Sequence, residues 1–176
     1  MSTSSPSSHP APAGVAIRPI RPDDLARELA FVQGLSRRTG YQRLMSSRRL
    51  TMAELRRFTT IDPEHEAALV AVADHGRRQV GVARYVEQET GEAEFALVLA
   101  DDWQGRGLGR VLLEQLIDTA RAHGLRALVG TTFSQNVPML ALARKLGFRT
   151  RRVPGNAIET ELRLDLAEEG GQATLH

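Results

Sequence analysis

Apolar residues recur at three- and four-residue steps in several stretches of this chain, and this spacing predicts helices. The clearest helix begins at Leu108 and continues past Ala120, and His123–Gly124 ends it because glycine readily takes the left-handed conformation found there. Thr51 and Glu54 stand at the spacing of a capping box, which predicts that a short helix starts at this point. The other predicted helices cover residues 22–35, 36–47 and 136–147.

Other stretches are short, apolar and rich in β-branched residues, or alternate apolar with polar positions, and these patterns predict strands. The alternation is most regular from Ile158 to Leu166, which predicts a strand with one wet face. The predicted strands cover residues 15–20, 67–73, 80–86, 93–99, 125–131 and 158–166.

The predicted order is strand, helices, an antiparallel meander of three strands, helix, strand, helix and a closing hairpin. Residues 93–131 form a strand–loop–helix–strand unit, so strands 93–99 and 125–131 are expected to be parallel. The sequence therefore predicts a mixed α/β sandwich.

Length and composition exclude several classes of protein. A chain of 176 residues suggests one domain, predicted here as residues 14–168 between a disordered Ser/Pro-rich leader (1–13) and a flexible tail (169–176). The absence of cysteine excludes disulfides and thiolate chemistry, and it is compatible with a cytoplasmic location. A net charge of only +2 argues against a nucleic-acid partner, and no apolar stretch approaches the roughly 20 residues that span a membrane.

The loop before the clearest helix carries glycines at positions 105, 107 and 109, with Arg106 and Arg110 beside them. A helix start offers unpaired N–H groups and a partial positive charge, and glycine lets an anion approach them closely. A cation is mildly unfavourable in a first helical turn unless an anionic ligand reverses the sign of that effect. The loop is therefore predicted to hold phosphates.

Two familiar phosphate loops do not fit, because the chain has no Gly-Lys pair and the third glycine of a dinucleotide fingerprint would fall on Arg110. The pattern Q-x-x-G-x-G/A does fit, as QGRGLG, and resembles the acyl-CoA-binding motif of the GCN5-related N-acetyltransferase (GNAT) superfamily. The resemblance runs from about Val15 to Leu166. Within the superfamily, IRPIRPDD, SRRTGYQRL, IDPEHEAALVAV and AEFALVLADDWQGRGLGRVLLEQLI look like bacterial protein-lysine acetyltransferases that modify acyl-CoA synthetases.

This resemblance implies a GNAT fold, in which a mixed, mostly antiparallel sheet splays at one parallel strand pair and carries helices on both faces. Acetyl-CoA would lie in that wedge, with its pantetheine on the backbone of the first parallel strand and its pyrophosphate on the loop. The implied cofactor-binding residues are Leu97, Val98, Leu99, Gln104, Gly105, Arg106, Gly107, Leu108, Gly109, Arg110 and Asn136. No metal is implied, and we interpret His65 and its acidic neighbours as a turn.

The implied reaction is attack of an amine on the thioester, with a backbone N–H near Leu97 polarising the carbonyl. An amine of pKa about 10.4 is mostly protonated at pH 7, so a base must take its proton. In the resembled protein acetyltransferases a glutamate at the position of Glu94 has this role. Glu92 shares its face of the strand and is the second candidate. Ala143 replaces a tyrosine that protonates the departing thiolate in many family members, which leaves the general acid undefined.

Simpler interpretations stand beside these predictions. Glu94 is otherwise a solvated strand carboxylate, and Asn136 a helix N-cap.

The acceptor is expected to be a protein lysine, such as one on an acyl-CoA synthetase, with a small amine as the alternative. A third hypothesis is a CoA-sensing module without catalysis. Analogy with the superfamily also suggests a homodimer.

Overall fold

The computed structural model describes residues 9–44 and 50–166. The start of the predicted leader, the end of the predicted helix 36–47 and the predicted tail 169–176 lie outside these residues. Within them, two short 3₁₀ turns cover Pro22–Asp24 and Asp101–Trp103. The helices are α1 (Leu25–Gly34), α2 (Arg37–Leu44), α3 (Met52–Thr59), α4 (Leu108–Ala122) and α5 (Val137–Lys145).

The strands of the described chain form a single mixed sheet. They are β1 (Ala16–Pro19), β2 (Glu66–Ala73), β3 (Arg78–Glu87), β4 (Glu92–Leu99), β5 (Ala127–Phe133), β6 (Arg149–Arg152) and β7 (Glu159–Asp165). Their spatial order is β1-β2-β3-β4-β5-β7-β6. Only the β4–β5 pair is parallel among the described pairings, which confirms the prediction from the strand–loop–helix–strand unit.

The parallel pair is short. Its register joins residues 92–94 to residues 127–129, and beyond this point β4 and β5 separate. Gly130 stands directly after the last paired residue, and a Cβ atom there would lie 2.9 Å from the Phe95 ring. The ring of Phe95 in turn packs on Phe148, with 5.1 Å between the ring centroids. Buried aromatic side chains therefore fill one face of the sheet where the two strands divide.

Helices cover both faces of the sheet, as the resemblance implied. The apolar stripe of α4 is fully buried, with Leu112, Leu113 and Leu116 at 0% exposure. A side chain at Gly81 of β3 would meet Leu112, so α4 packs closely on this face. On the opposite face Arg84 of β3 donates to the Phe58 carbonyl of α3. No helix among the described residues is long and apolar enough to cross a membrane.

Local signals in the sequence set several element boundaries. The Thr51 hydroxyl accepts from the Glu54 N–H while the Glu54 carboxylate accepts from the Thr51 N–H, so the predicted capping box starts α3. Gly124 takes a φ of 72° just after α4, which confirms the predicted stop.

A buried carboxylate fixes the first strand to the first helix. The Asp24 side chain is fully buried and accepts two hydrogen bonds from Arg18 of β1, at 2.7 and 2.8 Å. It also accepts from the Arg21 N–H (2.7 Å) and from Arg27 of α1 (2.9 Å). Burial alone would raise the pKa of Asp24, but these donors outweigh burial and lower it well below its usual range.

Candidate active site

The glycine loop presents backbone rather than side chains at the start of α4. Gly105 and Gly107 have φ angles of 74° and 84°, which disfavour any residue with a side chain. A Cβ atom on either would meet no heavy atom within 4 Å, so both positions face open space. Gly107 is the N-cap of α4 and provides no side-chain cap, so within residues 9–44 and 50–166 no side chain is seen to cap the first-turn N–H groups. These donors are therefore available to an anion.

Among the described pairings, β4 pairs with β5 only up to Glu94, so the following residues of β4 face a gap on that side. Ala100 donates its N–H to the Val80 carbonyl of β3 (2.8 Å). Along a strand that pairs antiparallel, successive residues point their N–H and C=O groups alternately toward and away from the neighbouring strand. Leu97 and Leu99 therefore direct their N–H and C=O groups away from β3, into the gap. Val98 directs its own toward β3. Of the three predicted strand residues, the geometry therefore favours Leu97 and Leu99.

The two loop arginines have different surroundings. The Arg106 guanidinium stacks over the Trp103 ring, 4.7 Å from its centroid. Arg110 instead donates to Glu114, one turn along α4 (2.9 Å), and the buried Glu114 carboxylate also contacts His9 at 3.0 Å. The charge of Arg110 is thus balanced within the chain, whereas Arg106 extends from the loop on an aromatic support.

Two predicted cofactor contacts also have structural roles. The Gln104 side chain donates to the Leu99 carbonyl and to the Thr39 hydroxyl, both at 3.3 Å, and so ties the loop to β4 and α2. The Asn136 side chain accepts from the Met139 N–H and caps α5, as the simpler interpretation holds. A cofactor contact by Asn136 stays a prediction.

Glu94 lies on the face of the sheet opposite α4, beside an open cleft of about 330 Å³. Its side chain is exposed and accepts from the Gln88 amide (3.2 Å). The cleft is lined by Glu94, Val129, Gly130, Thr131, Glu161, Leu162 and Arg163. Glu94 is also the last residue of β4 that pairs with β5, so its exposed carboxylate lies beside this open cleft at the point where the two strands divide.

Glu92 shares that face but is already engaged. Its carboxylate pairs with Arg163 of β7 at 2.8 Å, and this hydrogen bond lowers the pKa of Glu92. A carboxylate with a lowered pKa is a weaker base. Arg163 also donates to Asp165 (2.9 Å), so it is held between two carboxylates. This geometry favours Glu94 over Glu92 as the base.

Sequence reasoning missed Thr131, Glu161 and Arg163, which complete the cleft. Glu161 and Arg163 lie on the wet face predicted for the last strand, and β7 pairs with β5 at the cleft. Ala143, at the position of the family tyrosine, is fully buried in the core.

The acidic group near His65 has a local explanation. Ligand-type atoms of Asp62, Glu64 and His65 lie within 4.8 Å of one another, all on exposed residues. The Asp62 carbonyl accepts from the N–H groups of His65 and Glu66, which is the predicted turn before β2.

Comparison with known proteins identifies related chains. Residues 32–148 match the family described as Acetyltransferase (GNAT) family. Acetyltransferase PA5475 of Pseudomonas aeruginosa is 36% identical over 156 residues, which is 86% of this chain and 84% of that protein. An L-methionine sulfoximine/L-methionine sulfone acetyltransferase of Pseudomonas paraeruginosa is 35% identical over 85 residues, 46% of this chain and 49% of that protein. The crystal structure of the GNAT domain of S. lividans PAT has a TM-score of 0.79 at 27% identity, covering 86% of this chain and 90% of that one.

Proposed function

This chain belongs to the GNAT family of acetyltransferases, and from that premise we propose that it acetylates a protein lysine with Glu94 as the general base. The general activity follows from the family itself: the protein is an N-acetyltransferase with acetyl-CoA as its cosubstrate. The single observation that carries the finer proposal is the position of Glu94, exposed on the strand that bounds the gap and beside an open cleft.

The glycine loop fits the pyrophosphate of CoA. Its positive-φ glycines leave open space in front of the uncapped N–H groups of α4, where the macrodipole adds positive charge. Arg106 lies on the same loop and supplies a full charge. We assign Gln104 to Arg110 to this role, with Gln104 acting mainly through the position it gives the loop.

The backbone of β4 fits the rest of the cosubstrate. Leu97 directs its N–H and carbonyl groups into the gap, and Leu99 directs its N–H group there, where amide groups of pantetheine are suitable partners; the Leu99 carbonyl already accepts from Gln104. A backbone N–H in this position also polarises a thioester carbonyl that lies against the strand. The donor is part of the sheet, so it needs no rearrangement when charge develops on the oxygen.

The proton balance of the reaction defines the task of Glu94. The acceptor arrives as an ammonium ion, and Glu94 takes one proton from it, directly or through water. The neutral nitrogen attacks the acetyl carbon, a C–N bond forms, the C–S bond breaks, and CoA leaves as thiolate. Attack leaves a positive charge on the nitrogen, which loses its second proton to water so that a neutral amide forms. Ala143 provides no proton for this thiolate, and a thiol pKa of about 8.5 allows it to leave without one.

The cleft favours a cationic acceptor on an extended chain. The Glu94 carboxylate lines it and accepts from the neutral Gln88 amide, whereas Glu161 is already paired with Arg151 and the positive charge of Arg163 is shared between Glu92 and Asp165. The cleft opens on a sheet face whose outer side chains pair with one another, among them Arg151 with Glu161 (2.8 Å). Such a face suits a protein surface presenting a lysine, and the resemblance to protein-lysine acetyltransferases supports the same class.

A small amine is the second candidate acceptor. The relative named for acetylation of L-methionine sulfoximine and L-methionine sulfone favours it, because the similarity covers 85 residues of this chain.

Incubation with acetyl-CoA and either a purified acyl-CoA synthetase or a panel of amino acids and polyamines separates the two candidates. We expect mass spectrometry to find acetyl-lysine on the synthetase, and turnover on small amines alone would favour the second candidate. Glu94→Gln should lower kcat about 10²–10⁴-fold with CoA binding retained. Glu92→Gln is the matched control and should keep most activity. Equal losses in both variants would refute the role of Glu94.

A further inference from the structure

A cluster of hydrogen bonds joins the N-terminus of α2 to the turn that precedes the glycine loop. The Asp101 carboxylate accepts from the Ser36 N–H (2.7 Å), from the Ser36 hydroxyl (3.1 Å) and from the Thr39 hydroxyl. Gln104 donates to Thr39 and to the Leu99 carbonyl, which closes the cluster. We call these residues, Ser36, Thr39, Asp101 and Gln104, the α2–loop cluster.

Asp101 serves as a cap supplied from a distant part of the chain. Ser36 immediately precedes α2, and it lies 65 positions from Asp101. A carboxylate at a helix N-terminus is stabilised by the free N–H groups and by the macrodipole. Burial raises the pKa of Asp101, but the donors Thr39 and Ser36 lower it overall, so the group is ionised at neutral pH. Thr39 is itself 8% exposed, whereas Ser36, Asp101 and Gln104 are exposed, so only the Thr39 end of the cluster lies away from water.

The cluster reaches the proposed CoA site through one residue. Gln104 follows directly on the 3₁₀ turn that carries Asp101, and Gly105 is the next residue. Because the Gln104 side chain bonds both Leu99 of β4 and Thr39 of α2, the origin of the loop is fixed by α2. A shift of α2 therefore moves the loop relative to the strand it must face.

We propose that Asp101 is a positioning residue that couples α2 to the glycine loop, so that CoA binding and ordering of α2 stabilise each other. This inference rests on the proposed role of the loop in holding CoA. Coupling of two sites is reciprocal, so a loss on the α2 side must appear in the affinity for CoA.

Asp101→Asn tests the coupling, and Asp102→Asn is its matched control. Asp102 is adjacent and pairs with Arg78 on the surface (2.8 and 2.9 Å), outside the cluster. We expect calorimetric titration to show about tenfold weaker CoA binding for Asp101→Asn, in keeping with one lost hydrogen bond to a charged group. Asp102→Asn should change the affinity less than about twofold, as exposed ion pairs contribute little. Saturating acetyl-CoA should restore kcat in Asp101→Asn while its KM stays raised.

Hydrogen exchange supplies a readout that a purely structural role would not move. CoA should slow exchange at residues 36–44 in the native protein and in Asp102→Asn, and should fail to do so in Asp101→Asn. If Asp101→Asn does not fold, Thr39→Val removes the α2 side of the cluster with little change in shape and should weaken CoA binding in the same way.

The outcomes distinguish this inference from the function it rests on. Gly107→Val, which forces a side chain into a left-handed conformation, should abolish CoA binding; unchanged binding would refute the role of the loop itself. Loss of binding in Gly107→Val together with native affinity and native α2 protection in Asp101→Asn and Thr39→Val would refute only the coupling. An equal loss in Asp102→Asn would also refute it.

Discussion

Replacement of Gly130 by alanine tests how closely the point where β4 and β5 divide is packed. The added Cβ would lie 2.9 and 3.2 Å from two carbons of the Phe95 ring and 3.3 Å from the Phe95 carbonyl oxygen. Phe95 is 7% exposed and packs against Phe148, so its ring has little room to move aside. The carbonyl oxygen belongs to the backbone of β4, which its pairing with β3 holds in place.

Two opposing effects set the size of the change. Alanine restricts the unfolded chain and so favours folding by about 0.4–1 kcal/mol wherever the native conformation tolerates it. Overpacking of a filled core costs about 1–3 kcal/mol. The overlap with Phe95 should prevail, and the expected net loss in the free energy of unfolding is about 1–2 kcal/mol, or about 2–8 °C in Tm for a chain of this size.

Urea denaturation followed by circular dichroism measures this loss, with Gly40→Ala as the control. Gly40 lies inside α2, and a Cβ atom there would meet nothing within 4 Å. The same substitution should therefore raise stability at Gly40, by about 0.5–1 kcal/mol. Adding Phe95→Leu to Gly130→Ala should recover part of the loss in a double-mutant cycle. Gly130→Ala with native or higher stability would refute the packing argument.

Further predictions concern the buried carboxylate and the loop arginines. The pKa of Asp24 is lower in the folded state than in the unfolded chain, so its contribution is complete above about pH 5 and declines as the pH falls. Asp24→Asn should lower the free energy of unfolding by about 3–5 kcal/mol at pH 7. Between about pH 5 and 3, urea titrations should show that the variant loses less stability on acidification than the native protein does. Arg106→Ala should raise the KM for acetyl-CoA about tenfold, and Arg110→Ala only about two- to threefold because Glu114 already pairs with Arg110. Initial rates measured at low and high salt give the KM of each variant. A larger rise in KM for Arg110→Ala than for Arg106→Ala would contradict this prediction.

The sequence predicted the part of the fold that depends on local patterns. The run from β4 through the loop to α4 and β5 could be predicted because each boundary has a local cause, such as glycine at a left-handed position. β6 was not located, because its residues Arg149–Arg152 are polar and show no alternation. It forms because β7 offers it a partner, and that partner is set by the tertiary fold.

The chemistry of the site was predictable only in part. The family resemblance directed attention to the loop and ranked Glu94 ahead of Glu92, but the residue pattern alone could not separate these two glutamates, because both lie on the same face of the strand. That distinction depends on Arg163, which reaches Glu92 only once β7 lies beside β5. Asp101 escaped notice for the same reason, because its partners on α2 are remote in sequence. Local sequence patterns therefore predict which backbone segment is a candidate for binding the cosubstrate. Long-range contacts decide which carboxylates are held in ion pairs and which are left to act as a base.

The brevity of the parallel pairing has a mechanical consequence. Strands β1–β4 and strands β5–β7 are two ribbons whose direct hydrogen-bonded junction spans three residue pairs. A junction with so few ladder bonds is the place where such a sheet should open first in thermal fluctuations. A cosubstrate bound between the two ribbons would add contacts to both. The unliganded enzyme should therefore open locally between β4 and β5 before it unfolds, whereas the liganded enzyme should unfold in one cooperative step.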